Sequence, residues 1–206
     1  MNTKERILDE ALTLFSEKGY ANVFVGEIAE RVGIKAPSLY KHFKSKQDIF
    51  DGIIATMQRR FLDAAQRLKI SGNDSVKDAA IYRRLSEKQL VKLGTELFEY
   101  QLHDDYIKRI RKMLTLEQFR NPELAKIYMD QYVDDPLRYH GVLIGTMVGE
   151  DGLSKENVEI MTIQFYAPFY MYLTICDRDS SREAEAIKLL QEHIRQFHRI
   201  YGRKEK

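Results

Sequence analysis

The chain has 206 residues, 44% of them hydrophobic and 31% charged, so it can bury a core under a solvated surface. Its 33 basic against 31 acidic side chains exclude a uniformly charged protein, although a net charge of +2 can hide a local patch. A single cysteine, Cys176, excludes an internal disulfide framework, and the longest uncharged run, residues 160–176, falls short of the about 20 apolar residues a membrane span needs. The N-terminal MNTKERILDE has no apolar run of the secretory kind. Together these features place the protein in the cytoplasm, away from membranes.

Apolar residues recur at three- and four-residue spacing along the whole chain, only four prolines interrupt it, and no alternating run sits between hairpin turns. The expected fold class is all-α. A first helix follows Asn2 or Thr3 as cap, carries Ile7, Leu8, Ala11, Leu12 and Phe15 on one face, and stops at Gly19. A short second helix presents Ile28, Ala29 and Val32 and stops at Gly33. The third begins near Pro37, which a first helical turn tolerates, with Leu39 and Phe43 pointing inward together. Ser45-Lys46-Gln47-Asp48 resembles a capping box and opens a fourth helix, striped by Phe50, Ile53, Met57, Phe61, Ala64 and Leu68. Residues 71–75, SGNDS, form a polar break. Helical segments then follow at 84–103, 104–119, 122–149, 154–176 and 181–202, the fourth of these kinked at Pro168. Gly141, Gly145 and Gly149, four apart, predict close packing against another helix.

The stretch GIKAPSLYKHFKSK, residues 33–46, holds four lysines and a histidine, and no acid occurs between Arg31 and Gln47. Two short helices joined at a glycine, the second headed by small and basic residues, make a helix-turn-helix whose second helix enters the DNA major groove. Lys35, Ala36, Pro37, Ser38 and Lys41 then face base edges, while Tyr40, His42, Lys44 and Lys46 flank them for phosphate contacts. A merely solvated basic face is the plainer alternative. The coincidence of a glycine turn, an inward Leu39/Phe43 pair and a basic cluster within fourteen residues argues against it.

At these residues the chain resembles a known family. From RILDEALTLFSEKGY through IAERVGIKAPSLYKHFKSKQDIF, about residues 5 to 50, it is similar to the DNA-binding domain of the tetracycline-repressor (TetR) family: an Ile-Ala pair, a Gly-Ile turn, Leu-Tyr-x-His-Phe and Ser-Lys fall at that family's spacing. The resemblance implies a homodimer with a helix-turn-helix domain over 1–48 and a helical effector-binding and dimerisation domain over 49–206. By the family pattern Tyr40, His42 and Lys46 contact phosphate, and Lys35 to Ser38 with Lys41 read bases. Two departures stand out: Val23 and Phe24 where the family usually has Thr or Ser, which removes a hydroxyl cap from the second helix, and Lys35 where Ser is common.

The resemblance also implies that the last two long helices dimerise. Their apolar faces carry Val158, Phe169 and Tyr172 on one and Ile187, Leu190, Ile194, Phe197 and Tyr201 on the other, in a coiled-coil-like spacing, unless both serve the monomer's own core. Candidate lining for an effector pocket is Phe98, Met113, Phe119, Tyr128, Tyr132, Met147, Met161 and Phe165, with His140 as a polar anchor. The five histidines form no i, i+4 pair, and there is no metal spacing, GxSxG, phosphate-binding glycine loop or dinucleotide fingerprint. Neither cofactor nor metal is expected, and no enzyme. The reading is a homodimeric repressor that a small-molecule effector releases from a palindromic operator in double-stranded DNA; the alternative is a DNA-binding module controlled by a protein partner at its C-terminal half.

Overall fold

The protein is described by a computed structural model over residues 1–151 and 158–201; of 148–151 only the backbone is described. Every regular element among the described residues is helical, as the apolar periodicity predicts. The chain divides into two compact units, one of Met1–Phe61 with Asp104–Tyr128, the other of Leu62–His103 with Met129–Lys206.

In the first unit α1 spans Thr3–Lys18. Asn2 Oδ1 accepts from Glu5 N–H at 2.9 Å and the Glu5 carboxylate accepts from Asn2 N–H at 2.9 Å, a reciprocal cap of the kind that contributes about 1 kcal/mol. Its expected stripe, Ile7, Leu8, Ala11, Leu12 and Phe15, is buried. Helix α2, Val25–Val32, begins at Phe24, whose side chain makes no cap bond, so the missing hydroxyl is a real loss. It ends at Gly33, where φ 74° and ψ 33° put the backbone in the left-handed region that glycine enters without cost. Helix α3, Ala36–Tyr40, is a five-residue helix with Pro37 in its first turn. Helix α4 spans Lys46–Arg67, and Asp48 N–H donates to Ser45 Oγ at 3.0 Å. The reciprocal half of that cap is absent, because the Asp48 carboxylate accepts from Lys44 N–H instead, at 2.7 Å.

Helices α5, Ser75–Tyr82, and α6, Glu87–His103, belong to the second unit; α7, Asp105–Glu117, and α8, Pro122–Met129, return to the first, Met129 excepted. Helix α7 lies along α1: Arg109 donates to Asp9 Oδ1 at 2.7 Å and to Thr13 Oγ1 at 2.8 Å. Its inner face, Tyr106, Ile107, Ile110, Met113 and Leu114, closes the core.

The second unit is completed by α9, Asp135–Asp151, α10, Val158–Arg178, and α11, Glu183–Tyr201. One apolar cluster joins α6, α10 and α11 through Val91, Phe98, Leu173, Ala186, Leu190 and Ile194; another joins α5, α9 and α10 through Ala79, Leu143, Ile144 and Met161. A Cβ built on Gly141 or Gly145 would stand 3.7 Å from Thr162 Oγ1 or 3.5 Å from Val158 Cγ1, the close packing expected of the glycine ridge; the surroundings of Gly149 lie outside the described residues.

Two expectations need correcting. The segment read as one helix over 122–149 is α8, a π turn at Asp130–Asp134, and α9. Pro136 has no N–H to offer the preceding turn, and the Tyr132 carbonyl instead accepts from Tyr166 Oη at 2.8 Å. Helix α5 was not anticipated; its Asp78 looks like a solvated charge in sequence but is fully buried, accepting from Ser71 N–H at 2.7 Å, Gly72 N–H at 2.9 Å and Tyr139 Oη at 2.6 Å. Helix α10 carries Pro168 inside one continuous helix, a position compatible with the expected kink. Residues 154–157 of the segment expected there lie outside the described residues.

Candidate nucleic-acid interface

The acid-free stretch forms one exposed surface over two buried anchors. Leu39 is fully buried and Phe43 nearly so, packing α3 and the turn after it onto the first unit's core. Lys35, Pro37, Tyr40, Lys41, His42 and Lys44 are exposed around them, with Ala36 and Ser38 half-buried. Nearby acids are occupied on other faces: Glu27 pairs with Lys18, and Glu10 with Arg31 at 2.9 Å. Among the described residues Lys35, Lys41 and Lys44 enter no ion pair, so their charge faces solvent unopposed. Phe24 is 73% exposed beside the open N-terminus of α2.

Lys46 departs from this pattern. Expected on phosphate, it is half-buried, and its Nζ donates to Tyr20 O at 2.9 Å and Val23 O at 3.0 Å, with Ala21 O at 3.5 Å. It also stands 4.5 Å from the Tyr20 ring centre. Burial pulls its pKa below the usual lysine value, an effect that the carboxylate of Glu117 opposes. The ammonium ties down the α1–α2 turn, and its donors are directed inward.

That turn gathers residues which sequence spacing could not connect. Tyr20 packs against Phe15 and Phe50 with ring centres at 5.1 and 5.3 Å, its hydroxyl donates to Gln47 Oε1 at 2.9 Å, and its N–H donates to Glu117 Oε1 at 3.1 Å. Burial and the charges of Asp51 and Glu123 raise the Tyr20 pKa, keeping the phenol neutral. Glu117, 97 positions away, is only 4% exposed. The one hint in the sequence was Gly19, read as a helix stop.

Residues 7–53, which contain all of α2 and α3 and this exposed face, match the family model for bacterial regulatory proteins of the tetR family. These residues are a TetR-family DNA-binding domain. Among similar proteins, the biofilm operon icaADBC HTH-type negative transcriptional regulator IcaR of Staphylococcus aureus (strain Newman) is 52% identical over 48 residues, 23% of this chain and 26% of that one. This chain therefore matches only about a quarter of the length of the S. aureus relatives. IcaR of Staphylococcus epidermidis is 28% identical over 182 residues, 87% of this chain and 91% of that one. The solved SmeT–triclosan complex superposes with a TM-score of 0.68 at 19% identity, covering 99% of this chain and 93% of SmeT, the repressor of the Stenotrophomonas maltophilia multidrug efflux pump SmeDEF. At that identity the likeness shows the TetR-like fold.

The remaining candidates are dispersed. Of the pocket residues, Met113, Phe119 and Tyr128 fall in the first unit and the others in the second. Phe119 is 88% exposed at the end of α7 and encloses nothing. Phe98, Met113, Tyr128, Tyr132 and Met161 are buried core, and Met147 and Phe165 are half-buried. His140 lies among Tyr139, Phe165 and Tyr166, with ring centres at 5.2, 5.3 and 5.5 Å, and its Nδ1–H donates to Pro136 O at 2.8 Å. Burial pushes its pKa down to about 4, so the imidazole is neutral.

Of the dimer candidates, Leu190 and Ile194 are buried in their own unit. Phe169, Tyr172 and Ile187 pack against the same cluster and Val158, Phe197 and Tyr201 against the neighbouring one, each half-buried. The apolar residues that face out are Ile160, Ile163 and Met171 on α10 with Leu189 and Ile200 on α11. Among the described residues no helix is long and apolar enough to cross a membrane, and no group of histidine, cysteine and carboxylate side chains could hold a metal ion.

Proposed function

We propose that this chain is a TetR-family, sequence-specific, cytoplasmic DNA-binding repressor that acts as a homodimer on a palindromic operator and is released by a small-molecule effector. The observation that carries the proposal is the exposed face of Lys35, Pro37, Tyr40, Lys41, His42 and Lys44 over the buried Leu39/Phe43 pair. Such a face offers donors to base edges and positive charge to phosphates on a rigid short helix. The description of the IcaR relatives as negative regulators and of SmeT as a repressor supports the direction of control, and the triclosan complex supports an effector. The outward apolar residues of α10 and α11 support a homodimer, which would place two recognition helices about 34–36 Å apart on successive turns of DNA. Release by effector then follows from linkage: a ligand favouring a conformation with mismatched helix spacing weakens DNA binding, and DNA weakens ligand binding by the same factor.

The test is selection of bound duplexes from random DNA with the purified protein at a fixed salt concentration. A palindromic consensus is expected. Lys41→Ala should then change the preferred sequence, costing about 1–3 kcal/mol at the base it reads. Salt-sensitive binding with no consensus would sink the reading.

A further inference from the structure

We propose that Glu117 is a positioning residue for DNA recognition: from the last turn of α7 its carboxylate holds the α1–α2 turn, and through that turn it sets the pose of the basic helix-turn-helix. The inference rests on the DNA-binding reading above and names a residue outside the matched segment that governs it.

The geometry is specific to this turn. Gly19 adopts φ +83°, and a Cβ built there would stand 2.5 Å from Glu117 Oε1, so a side chain at this position would make the carboxylate shift from where it meets Tyr20. Glycine thus serves twice, supplying the backbone conformation and leaving room for the acceptor. The next residue, Tyr20, is held at every group it has: N–H by Glu117, carbonyl by Lys46, ring by Phe15 and Phe50, hydroxyl by Gln47. One residue therefore joins the end of α1, the start of α4 and the end of α7. Helices α2 and α3 lie in the chain between the two ends this clamp fixes, Tyr20 and Lys46. Displacing Tyr20 alters the frame on which Lys35 and Lys41 are presented.

Loss of the carboxylate would leave the Tyr20 N–H without its acceptor and remove a negative charge near the Lys46 ammonium, so Glu117 also stabilises the fold. What the carboxylate adds is direction: one acceptor fixes where the Tyr20 amide points. Arg109 on Asp9 and Thr13 anchors α7 to α1 eight residues earlier, so α7 is held along its length and Glu117 acts from a rigid support.

The experiment compares wild type, Glu117→Ala and Glu117→Gln on the duplex that wild type selects from random DNA and on a scrambled duplex of equal length. Affinities are measured at a temperature where circular dichroism shows each variant folded. Glu117→Ala should lose about tenfold on the selected duplex, the scale of one charge-assisted hydrogen bond, and less than about twofold on the scrambled one. Glu117→Gln keeps an acceptor at the same position and should recover most of the loss, with hydrogen exchange at the Tyr20 amide slowed again relative to Glu117→Ala. Equal losses on both duplexes, or no loss on either, would overturn the inference while leaving the DNA-binding reading intact. If wild type selects no sequence, the DNA-binding reading itself fails and the inference falls with it.

Discussion

Lys46 shows how little a side chain's type says about its use. In sequence it is one more lysine in a basic run, yet in the fold its ammonium satisfies the Tyr20 and Val23 carbonyls. Lys46→Met keeps the stem but leaves those acceptors without their donor, so unfolding should become easier by roughly 1–3 kcal/mol. The salt dependence of DNA binding should stay as in wild type, where loss of a phosphate contact would lower the slope by about 1; a lowered slope would return Lys46 to the phosphates. His140 has the opposite history, a lone histidine whose neighbours no spacing announces. Its folded pKa of about 4 lies below the roughly 6.5 of an unfolded histidine, so between these values the unfolded chain binds the extra proton. The stability it contributes is complete above about pH 6.5 and is lost as pH falls toward 4. Thermal melts of wild type and His140→Phe across that window should converge as pH falls, since the variant lacks the titration; parallel curves would show that His140 does not carry it.

At the scale of elements, caps and glycines were readable because they act within a turn or two. Asn2 and Gly33 perform as their types require, and Phe24 leaves α2 without a side-chain cap for the same local reason. Elements decided by distant partners were not readable. The π turn at Asp130–Asp134 follows from Pro136 together with a hydroxyl on another helix, and α5 closes over a buried carboxylate whose partners include Tyr139, 61 positions away. Tyr166→Phe removes the donor to the Tyr132 carbonyl and should cost about 1–2 kcal/mol in chemical denaturation. DNA affinity well below the melting temperature should be unaffected; an unchanged denaturation midpoint would show that the hydroxyl is dispensable to the π turn.

For the whole molecule, the proposed homodimer rests on the faces of α10 and α11. The periodic stripe that sequence reading assigned to a dimer packs into the second unit's own clusters, and the outward set is Ile160, Ile163, Met171, Leu189 and Ile200. Ile163→Glu places a charge on that outward face without disturbing the buried stripe. If the proposed homodimer forms through this face, light scattering should report a dimer for wild type and a monomer for the variant, with palindromic DNA bound more weakly and a half-site about as before; a dimeric Ile163→Glu would remove this face from the interface. By itself the sequence determined the all-helical class, the helix-turn-helix with its anchors Leu39 and Phe43, and the basic face around Lys35 and Lys41, because periodicity, caps and turn glycines work within a few residues. Only the tertiary structure decided which apolar stripe is core and which is surface, that Lys46 turns inward, and that Glu117 reaches Tyr20. Those depend on which helices come together, and contacts between residues far apart in the chain leave no spacing to read.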